Sequence, residues 1–325
     1  MDLLRPVVLR ALCVRAGMRP DRRSGQNFLI NRATLDRIVA AVDPQPGDTI
    51  LEVGAGFGVL TMALAEQLKN RELRNREHGG RIIAIERDRR IVPTLRELVS
   101  PYENIEVVEG DVLALLKFIL RESSDRRISP TRDARTSSTA IRVGEMLRRV
   151  APQHKLKIAA NLPYSITSDF LRLLFDAVGT GAFPPPERAV LLLQREVVDR
   201  LVADPRRPSD RKNVGMLTIL TQLYSNPRRI ARVPAAHFWP APKVESAVVA
   251  LEAWRRPEDI AALLGGVTRE SFLRIVRRCF AQRRKQIHSS LFTRPSSLLD
   301  LGIDPTARPE TLSLAQWISL ARSIP

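Results

Sequence analysis

The tetrapeptide Asn161-Leu162-Pro163-Tyr164 combines residue types that can align a heterocyclic amine for reaction. The exocyclic amine of adenine is a poor nucleophile, because its lone pair is delocalised into the ring. The side-chain carbonyl of Asn161 and a backbone carbonyl at Leu162 or Pro163 could accept the two amine hydrogens and orient that lone pair. Proline stiffens the turn, and Tyr164 offers a face on which an extracted base can stack. A Pro-containing loop with a core tyrosine is the alternative interpretation.

A glycine-rich turn, Gly54-Ala55-Gly56-Phe57-Gly58, follows the predicted strand Thr49–Val53 and precedes a helical pattern. Glycine permits a sharp turn and a close approach of the backbone to a ligand. The spacing differs from the G-x-G-x-x-G of dinucleotide-binding proteins, since Val59 stands in place of the third glycine. The turn therefore favours a ligand without a pyrophosphate group. A tight strand-to-helix turn with no ligand is the alternative.

Two acids follow the next two predicted strands, Glu86 at the end of Arg81–Glu86 and Asp111 after Gly110. In open parallel sheets, ligands bind beyond the carboxyl ends of the strands. Glu86 could accept both hydroxyls of a ribose, and Asp111 could accept the exocyclic amine of an adenine. Each acid alone is more often a loop-capping residue. Together with the glycine turn they predict an adenosyl site, and S-adenosylmethionine would need no strong base because its sulfonium already activates the methyl group.

These residues require a frame of alternating strands and helices. Apolar runs that read as buried strands occur at Thr49–Val53, Arg81–Glu86, Ile105–Val108, Lys157–Ala160 and Arg188–Leu193. Helical spacing lies between them at Leu60–Leu68, Val92–Val99 and Ile166–Val178. This alternation predicts a doubly wound parallel sheet. Two later runs, Arg228–Val233 and Ser246–Ala253, predict an antiparallel pair at its edge.

The pattern changes to helices alone from about Arg255. The predicted helices are Glu270–Phe280, Arg284–Phe292 and Leu312–Arg322. We therefore predict an α/β domain over residues 1–254 and a small all-helical domain over residues 255–325. Two insertions, Lys69–Gly79 and Arg121–Gln153, interrupt the first domain. The second is predicted to be a mobile loop, and a solvated, inert insertion is preferred to one that touches RNA.

The net charge of +17 points to a polyanionic partner, most simply a nucleic acid. A basic proteome or a membrane surface is the alternative explanation. A cluster predicted to lie in one helical region supplies candidate phosphate contacts: Arg277, Arg278, Arg283, Arg284 and Lys285. Contacts of this kind fix register without reading bases, and a solvated basic helix face is the competing interpretation.

Cysteine and histidine usage argues against disulfides and metal sites. Cys13 and Cys279 are far apart and the four histidines are scattered, which predicts a reducing cytoplasm and no metal. The sequence has no apolar run long enough for a membrane span. Leu3–Val14 is interrupted by arginines, so it is a poor signal peptide, and an organelle presequence stays open. A monomer is the default expectation.

Phe238 begins a segment that runs through Trp239-Pro240-Ala241-Pro242. The two prolines stiffen this loop, and Phe238 is predicted to supply a second stacking face for the target base. A core phenylalanine is the competing interpretation.

From Gly17 to the C-terminus, apart from the two insertions, the sequence resembles the KsgA/RsmA family of ribosomal RNA adenine dimethyltransferases. The matching segments are Arg19-Pro20, Gly25–Leu29, Glu52–Gly56, Glu86, Gly110-Asp111, Asn161–Tyr164, Phe238–Ser246 and Arg283–Lys285. The resemblance implies a Rossmann-like class I methyltransferase sheet with helices on both faces. It implies dimethylation of two adjacent adenosines near the 3′ end of small-subunit (16S) ribosomal RNA, within an immature ribosomal particle.

The resemblance also implies the residues that contact S-adenosylmethionine: Asn27, Leu29, Gly54, Glu86, Asp111 and Asn161. From the residues alone, Gly25–Leu29 is only a polar turn capped by hydrophobic residues, whereas the resemblance makes it a segment that folds over the cofactor. The insertion Arg121–Gln153 lies between Asp111 and Asn161, which puts the approach of RNA in doubt there.

Three other functions compete with a small-subunit enzyme. Large-subunit RNA methyltransferases that confer antibiotic resistance are related, but Leu162, Arg283–Lys285 and the helical C-terminal region favour the small-subunit interpretation. DNA adenine methyltransferases more typically have proline in place of Leu162. A non-catalytic assembly factor or mitochondrial transcription factor could share the fold, and the intact Asn161, Glu86 and Asp111 argue against lost catalysis.

Overall fold

The computed structural model describes residues 1–20, 26–75, 79–124, 143–144, 155–291 and 295–324. Gly25, part of Lys69–Gly79 and most of Arg121–Gln153 lie outside the described residues, so the expected mobility of the longer insertion stays a prediction. The chain folds into two compact units. The first comprises Met1–Arg195 and Arg228–Ala253, and the second comprises Glu196–Pro227 and Trp254–Pro325.

A seven-stranded sheet organises the first unit. Its strands are β2 (Thr49–Val53), β3 (Arg81–Glu86), β4 (Ile105–Glu109), β5 (Leu156–Asn161), β6 (Arg188–Gln194), β7 (Asn226–Val233) and β9 (Ser246–Glu252). Their order is β4-β3-β2-β5-β6-β9-β7. The first five pair in parallel, and β9 pairs antiparallel with β6. The predicted doubly wound sheet is confirmed, and the two later runs form its edge.

Helices cover both faces of this sheet, as predicted. They are α1 (Pro6–Arg15), α2 (Arg32–Val42), α3 (Val59–Asn75), α4 (Val92–Val99), α5 (Val112–Ser124) and α6 (Thr167–Gly179). Leu35 of α2, Leu64 of α3 and Leu95 of α4 pack in one cluster with Ile50 and Ile82 of the sheet. Their removal from water supplies the apolar driving force that fixes the strand ends. Helices α5 and α6 pack against each other.

Helix α1 was not among the predicted elements. Leu9, Leu12 and Cys13 are buried on it, and they share an apolar cluster with Phe28 and Phe57. The arginines that interrupt the apolar run are exposed, so the segment is a helix of the first unit and not an uninterrupted apolar stretch. In the part of the chain that the structure describes, no helix has both the length and the apolarity to cross a membrane.

The second unit is helical. It contains α8 (Met216–Tyr224), α9 (Pro257–Leu264), α10 (Arg269–Ala281), α11 (Ile287–Leu291), α12 (Pro295–Asp300) and α13 (Leu314–Ser323), and α7 (Arg195–Leu201) lies at its first boundary. Helix α10 is capped by Thr268, whose side chain accepts the Ser271 N–H, and it buries Phe272 and Val276. Trp317 of α13 is fully buried.

This unit differs from the predicted second domain in two places. A single boundary was predicted at residue 254, whereas Glu196–Pro227 also belongs to the second unit. The helix predicted over Arg284–Phe292 begins at Ile287, and Phe292 lies outside the described residues. A turn replaces its first part because Gln282 and Lys285 donate backbone hydrogen bonds to Cys279 and Gln282, respectively. The predicted basic cluster therefore spans the end of α10 and this turn.

Candidate functional site

The carboxyl ends of β2, β3, β4 and β5 surround a cavity of about 750 Å³. This volume is in the range of small-molecule sites. The cavity is lined by every residue predicted to contact a cofactor: Asn27, Leu29, Gly54, Glu86, Asp111 and Asn161. Pro163 also lines it, whereas Leu162, Tyr164 and Phe238 do not. The parallel topology thus brings together side chains that are distant in sequence.

The glycine turn forms the floor of the cavity. Gly54 and Gly56 adopt φ values of +77° and +57°, which residues with a side chain rarely adopt. A Cβ on Gly54 would lie 3.4 Å from the backbone oxygen of Asn161. Gly58 serves packing instead, because its Cβ would lie 2.8 Å from Leu95. The first two glycines therefore keep a space open that side chains would fill.

Glu86 is held at the end of β3 by backbone donors. Its Oε2 accepts the Gly56 N–H at 2.8 Å, and its Oε1 accepts the Asp88 N–H at 2.8 Å. The side chain is 9% exposed, and burial raises the pKa of its carboxyl above the ordinary value, although these backbone donors act against that shift. A carboxylate oxygen has more than one acceptor site, so both oxygens can still accept hydroxyls from a ligand.

Glu52 is a third acid at the carboxyl ends of the strands, and the sequence analysis gave it no role. It precedes Val53 at the end of β2, lines the cavity and is 1% exposed. Burial, with the nearby charge of Glu86 adding to it, raises the pKa of Glu52 to about 8. The raised pKa favours the neutral form of the carboxyl, and a protonated carboxyl can donate a hydrogen bond. Glu52 lies in the segment Glu52–Gly56 that resembles the family, so a sequence signal was present, but the surrounding apolar run assigned the residue only to a buried strand.

Asp111 caps a helix and also faces the cavity. Its Oδ1 accepts the Leu113 N–H at 2.8 Å at the start of α5, and its Oδ2 lies 3.5 Å from Arg87 Nη1. The side chain is 35% exposed. The capping role that the sequence analysis gave as the alternative is thus present. It leaves the carboxylate at the cavity wall, and the two roles are compatible.

The segment before β1 (Phe28–Leu29) is joined to the end of β5. The Asn161 side-chain Nδ2 donates to the Asn27 carbonyl at 3.1 Å, and Gln26 Nε2 donates to Asp88 at 3.1 Å. Both Asn27 and Gln26 line the cavity. Because its nitrogen is engaged with Asn27, the Asn161 amide presents its Oδ1 as the acceptor for a ligand.

Within the tetrapeptide, the structure separates the two candidate backbone acceptors. The Pro163 carbonyl accepts the Ile166 N–H at 3.1 Å and the Thr167 hydroxyl at 3.3 Å, which starts α6. A carbonyl oxygen has two lone pairs, so Pro163 is already satisfied and Leu162 is left as the candidate acceptor. The Leu162 side chain is buried, which fixes the turn.

The two predicted stacking residues have different surroundings. The Tyr164 hydroxyl lies 2.7 Å from the Ser246 hydroxyl, which orients a half-buried ring. Phe238 is 3% exposed and belongs to the apolar cluster of the sheet. It lies on β8 (Phe238–Trp239), which pairs antiparallel with β1 so that Phe238 opposes Leu29. These contacts favour the interpretation of Phe238 as a core residue. They place its backbone beside Leu29, in the segment that is expected to fold over the cofactor.

The predicted phosphate contacts lie in the second unit. Some of these side chains are exposed, and others are hydrogen-bonded within the unit. Arg277, Arg284 and Lys285 are exposed. Arg278 is also exposed, but its Nε donates to the Ser290 carbonyl at 2.9 Å. Arg283 donates to the carbonyls of Arg211 and Lys212, so its guanidinium is used inside the unit. The described residues contain no group of histidines, cysteines and acids that could hold a metal ion.

The cavity fits an adenosyl ligand. Gly54 and Gly56 leave the backbone uncovered, the Glu86 carboxylate can accept two vicinal hydroxyls, and the Asp111 carboxylate can accept an amine. Asn161 lies at the same wall and can align a second, incoming amine. The residues present can therefore bind a nucleoside cofactor beside an acceptor for an amine substrate.

The sequence is similar to known proteins over almost its whole length. The family described as "Ribosomal RNA adenine dimethylase" matches residues 19–324. Ribosomal RNA small subunit methyltransferase A of Anaeromyxobacter sp. (strain K) is 35% identical over 97% of this chain and 97% of its own length. The protein with the same name from Pelotomaculum thermopropionicum is 31% identical, with 98% and 96% covered.

Two solved structures are similar over nearly the whole chain. The crystal structure of the 23S rRNA methyltransferase ErmE has a TM-score of 0.61 and 25% identity, and the match covers 91% of this chain and 98% of ErmE. A dimethyladenosine transferase from Plasmodium falciparum has a TM-score of 0.61 and 22% identity, with 90% and 95% covered. The second likeness concerns the fold alone.

Proposed function

The chain belongs to the ribosomal RNA adenine dimethylase family, and we propose that its substrate is the RNA of the small ribosomal subunit. It is an enzyme that transfers methyl groups from S-adenosylmethionine to adenine in ribosomal RNA. The proposed targets are two adjacent adenosines near the 3′ end of the small-subunit RNA, each dimethylated on its exocyclic amine. Relatives named for the small subunit, 31% to 35% identical over almost the whole chain, support this target.

The observation that carries the mechanism is the convergence of Glu86, Asp111 and Asn161 on one cavity. We propose that Glu86 accepts the ribose hydroxyls, that Asp111 accepts the adenine amine of the cofactor, and that Gly54 allows the backbone to approach it. Asn27 and Leu29 would cover the ligand from the segment held by Asn161. When bound, S-adenosylmethionine supplies a methyl group on a positively charged sulfur.

Asn161 and Leu162 are proposed to align the target amine. The Asn161 Oδ1 and the Leu162 carbonyl accept its two hydrogens, which directs the nitrogen lone pair away from both acceptors and into the cavity. Pro163 contributes rigidity, because its own carbonyl is held by Ile166 and Thr167. The residues thereby supply orientation and electrostatic stabilisation, and no strong general base is needed.

We propose that Tyr164 stacks on the extracted base, with Ser246 fixing the ring through the 2.7 Å hydroxyl contact. A role of Phe238 in stacking would need its buried ring to become accessible. Its pairing with Leu29 instead supports a positioning role, because it links the loop after β8 to the cofactor segment. The exposed arginines and lysine of the second unit are proposed to contact phosphates.

The wider setting is also proposed. The protein would act as a monomer on an immature small-subunit particle in the cytoplasm. The two cysteines are buried and unpaired, which is consistent with a reducing compartment. The net charge of +17 suits a large RNA substrate.

The test is methyl transfer from labelled cofactor to immature small subunits, with large subunits and DNA as parallel substrates. We expect label in small-subunit RNA alone, located at two adjacent adenosines by mass spectrometry. Label in large-subunit RNA alone would show that the substrate is the large subunit and not the small subunit. The likeness to ErmE makes this the second candidate function, and the same experiment separates the two.

A further inference from the structure

The second unit carries a stretch of sequence without acids. No aspartate or glutamate lies between Glu270 and Asp300, while the same stretch contains Arg277, Arg284 and Lys285. The turn Gln282–Lys285 sits in this stretch and is closed by the hydrogen bond from Lys285 N–H to the Gln282 carbonyl at 2.8 Å. Arg284 and Lys285 are exposed on it. The turn thus presents two cations without a neighbouring acid in sequence.

Arg283 precedes Arg284 and Lys285 in the turn, and its side chain contacts another part of the second unit. Its Nη2 donates to the Arg211 carbonyl at 2.8 Å and to the Lys212 carbonyl at 3.0 Å. Its Nε lies 3.6 Å from Glu310, whose side chain is 18% exposed. Two carbonyls and a carboxylate therefore satisfy this guanidinium, which suits the planar donor geometry of arginine. Arg283 joins the turn to a segment that is distant in sequence.

That segment, Asp204–Asn213, is itself folded by local hydrogen bonds. Asp204 accepts the Arg206 N–H at 3.0 Å and pairs with the Arg206 guanidinium. The chain continues through a 3-10 turn, Pro208–Asp210, and Asn213 N–H donates to the Asp210 carbonyl at 2.8 Å. Asp204 thus offsets the charge of Arg206, whereas no carboxylate among the described residues pairs with Arg211 or Lys212. Both are exposed.

We propose that Arg211, Lys212, Arg284 and Lys285 form one phosphate-binding surface, the basic patch, and that Arg283 is its positioning residue. The inference rests on the proposed function, because it identifies where the second unit binds ribosomal RNA. Arg283 binds the backbone carbonyls of Arg211 and Lys212. Because Arg284 and Lys285 follow Arg283 directly in sequence, this contact brings the two pairs of cations together. The patch combines two segments that the sequence analysis assigned to different domains.

The chemistry of the patch fits the RNA backbone. Its four cations are exposed and have no carboxylate partner among the described residues, so phosphates would meet no competing acid. Arginine and lysine contacts with phosphate release counterions and supply affinity that is independent of base sequence. An acidic protein surface could also be attracted, and the salt dependence of binding to RNA decides between them.

The first test compares the salt dependence of binding to small-subunit ribosomal RNA, using the full-length protein. The variants are Arg211→Ala with Lys212→Ala, and Arg284→Ala with Lys285→Ala. Each pair should lower the slope of log affinity against log salt by about 1.4 to 1.8, which is roughly 0.7 to 0.9 per lost phosphate contact. Affinity near physiological salt should fall roughly ten- to thirtyfold on the same basis.

A matched control removes two exposed arginines that have acidic partners. Arg172 pairs with Asp169 and Asp176, and Arg256 pairs with Glu258 and Asp259. The control Arg172→Ala with Arg256→Ala loses the same formal charge as each patch pair, and its slope should stay near that of the wild type. If either patch pair has the same slope as this control, that segment is not part of the RNA surface.

The second test separates positioning from direct contact at Arg283. Arg283→Lys keeps the charge but cannot donate to two carbonyls and Glu310 together. We expect a several-fold loss of affinity, and we expect Arg211→Ala with Lys212→Ala to cost less in this background than in the wild type. Wild-type affinity in Arg283→Lys would overturn the positioning role. Additive losses in the combined variant would do the same, because independent sites add.

The experiments distinguish an error in the basic-patch proposal from an error in the proposed substrate. Cofactor binding to every variant, measured by calorimetry, reports folding of the first unit and should match the wild type. If the wild-type protein methylates small subunits but the patch variants keep its salt slope, the patch is wrong and the function stands. If the wild type neither binds nor methylates small-subunit RNA, the proposed substrate is wrong. Binding of the patch to an acidic protein but not to RNA overturns the patch proposal alone.

Discussion

The cavity at the carboxyl edge of the sheet and the basic patch of the second unit are built in opposite ways. At the edge, each polar group is held by a neighbour before any ligand binds: Glu86 by two backbone N–H groups, Asp111 by the start of α5, and Asn161 by the Asn27 carbonyl. In the basic patch, Arg283 makes the structural contacts, and the four outer cations are exposed.

This difference assigns different work to the two regions. Fixed, partly buried groups orient reacting atoms and lower a barrier only when their geometry is accurate. Exposed cations add to affinity in proportion to the phosphates that they neutralise, and their effect weakens as salt rises. Substitutions at the edge should therefore change turnover or cofactor affinity while the salt slope stays constant. Substitutions in the patch should change the slope while cofactor affinity stays constant.

The largest expected effect is at Asn161. Asn161→Ala removes the acceptor that aligns the target amine and also the hydrogen bond to Asn27. We expect turnover to fall by roughly a hundredfold or more, in the range found when one aligned polar group is removed from an active site. Single-turnover methyl transfer measures it, with Ser165→Ala as the control, because Ser165 is exposed and also lines the cavity. Near-normal turnover in Asn161→Ala would show that this amide does not align the target amine.

Glu86 should show the next largest effect. Glu86→Ala leaves the Gly56 and Asp88 N–H groups without their acceptor and removes both candidate partners of the ribose hydroxyls. Cofactor affinity should fall by several-fold to about a hundredfold, the scale of unsatisfied polar groups. Calorimetry against Glu109→Ala provides the control, because Glu109 ends the neighbouring strand and pairs with Arg89 outside the predicted set. Equal affinities in the two variants would remove Glu86 from the site.

The site at the carboxyl ends of the parallel strands was largely predictable from sequence, because local patterns place its residues. The apolar runs gave β2 and β3 with the bounds that the structure has, Thr49–Val53 and Arg81–Glu86. Residues at the ends of adjacent parallel strands must then meet at one edge. Asn27 and Leu29 required the family resemblance, since their position depends on the long-range bond from Asn161. Glu52 was given no role although it lies in the matching segment Glu52–Gly56, because its raised pKa comes from burial in the folded protein.

The second unit was less predictable because its contacts are long-range. Nothing in the local sequence of Glu196–Pro227 indicates that it leaves the first unit. Arg283 was predicted as one of five phosphate contacts, and its hydrogen bonds to the carbonyls of Arg211 and Lys212 could not be predicted because those residues are distant in sequence. The predicted helix over Arg284–Phe292 was wrong at its start because a hydrogen-bonded turn competes with the helical pattern there. Helix α1 was missed because its apolar residues were weighed as a targeting signal.

Glu52, a buried acid, distinguishes the cavity from the basic patch through pH instead of salt. Its pKa is raised from 4.5 to about 8 in the folded protein, so the native state binds a proton that the unfolded chain releases at neutral pH. Its contribution to stability is complete below about pH 4.5 and is lost as the pH rises towards about 8. In Glu52→Gln the free energy of unfolding should fall less steeply over this window. Urea denaturation of the free protein measures it, and parallel pH profiles for the two proteins would show that Glu52 titrates normally.

The smallest expected effect is at Arg277, a single exposed cation on α10 outside the basic patch. It was predicted to contact phosphate, and no carboxylate among the described residues pairs with it. If RNA extends along α10, Arg277→Ala should lower the salt slope by about 0.7 to 0.9 and affinity by a few-fold, while cofactor binding stays unchanged. Arg274→Ala is the matched control, because Arg274 is exposed one turn earlier on the same helix. A reduced slope for Arg277→Ala alone would extend the RNA surface from the turn onto the end of α10. Unchanged slopes for both variants would confine it to the basic patch, because a cation that contacts phosphate cannot be removed without altering counterion release.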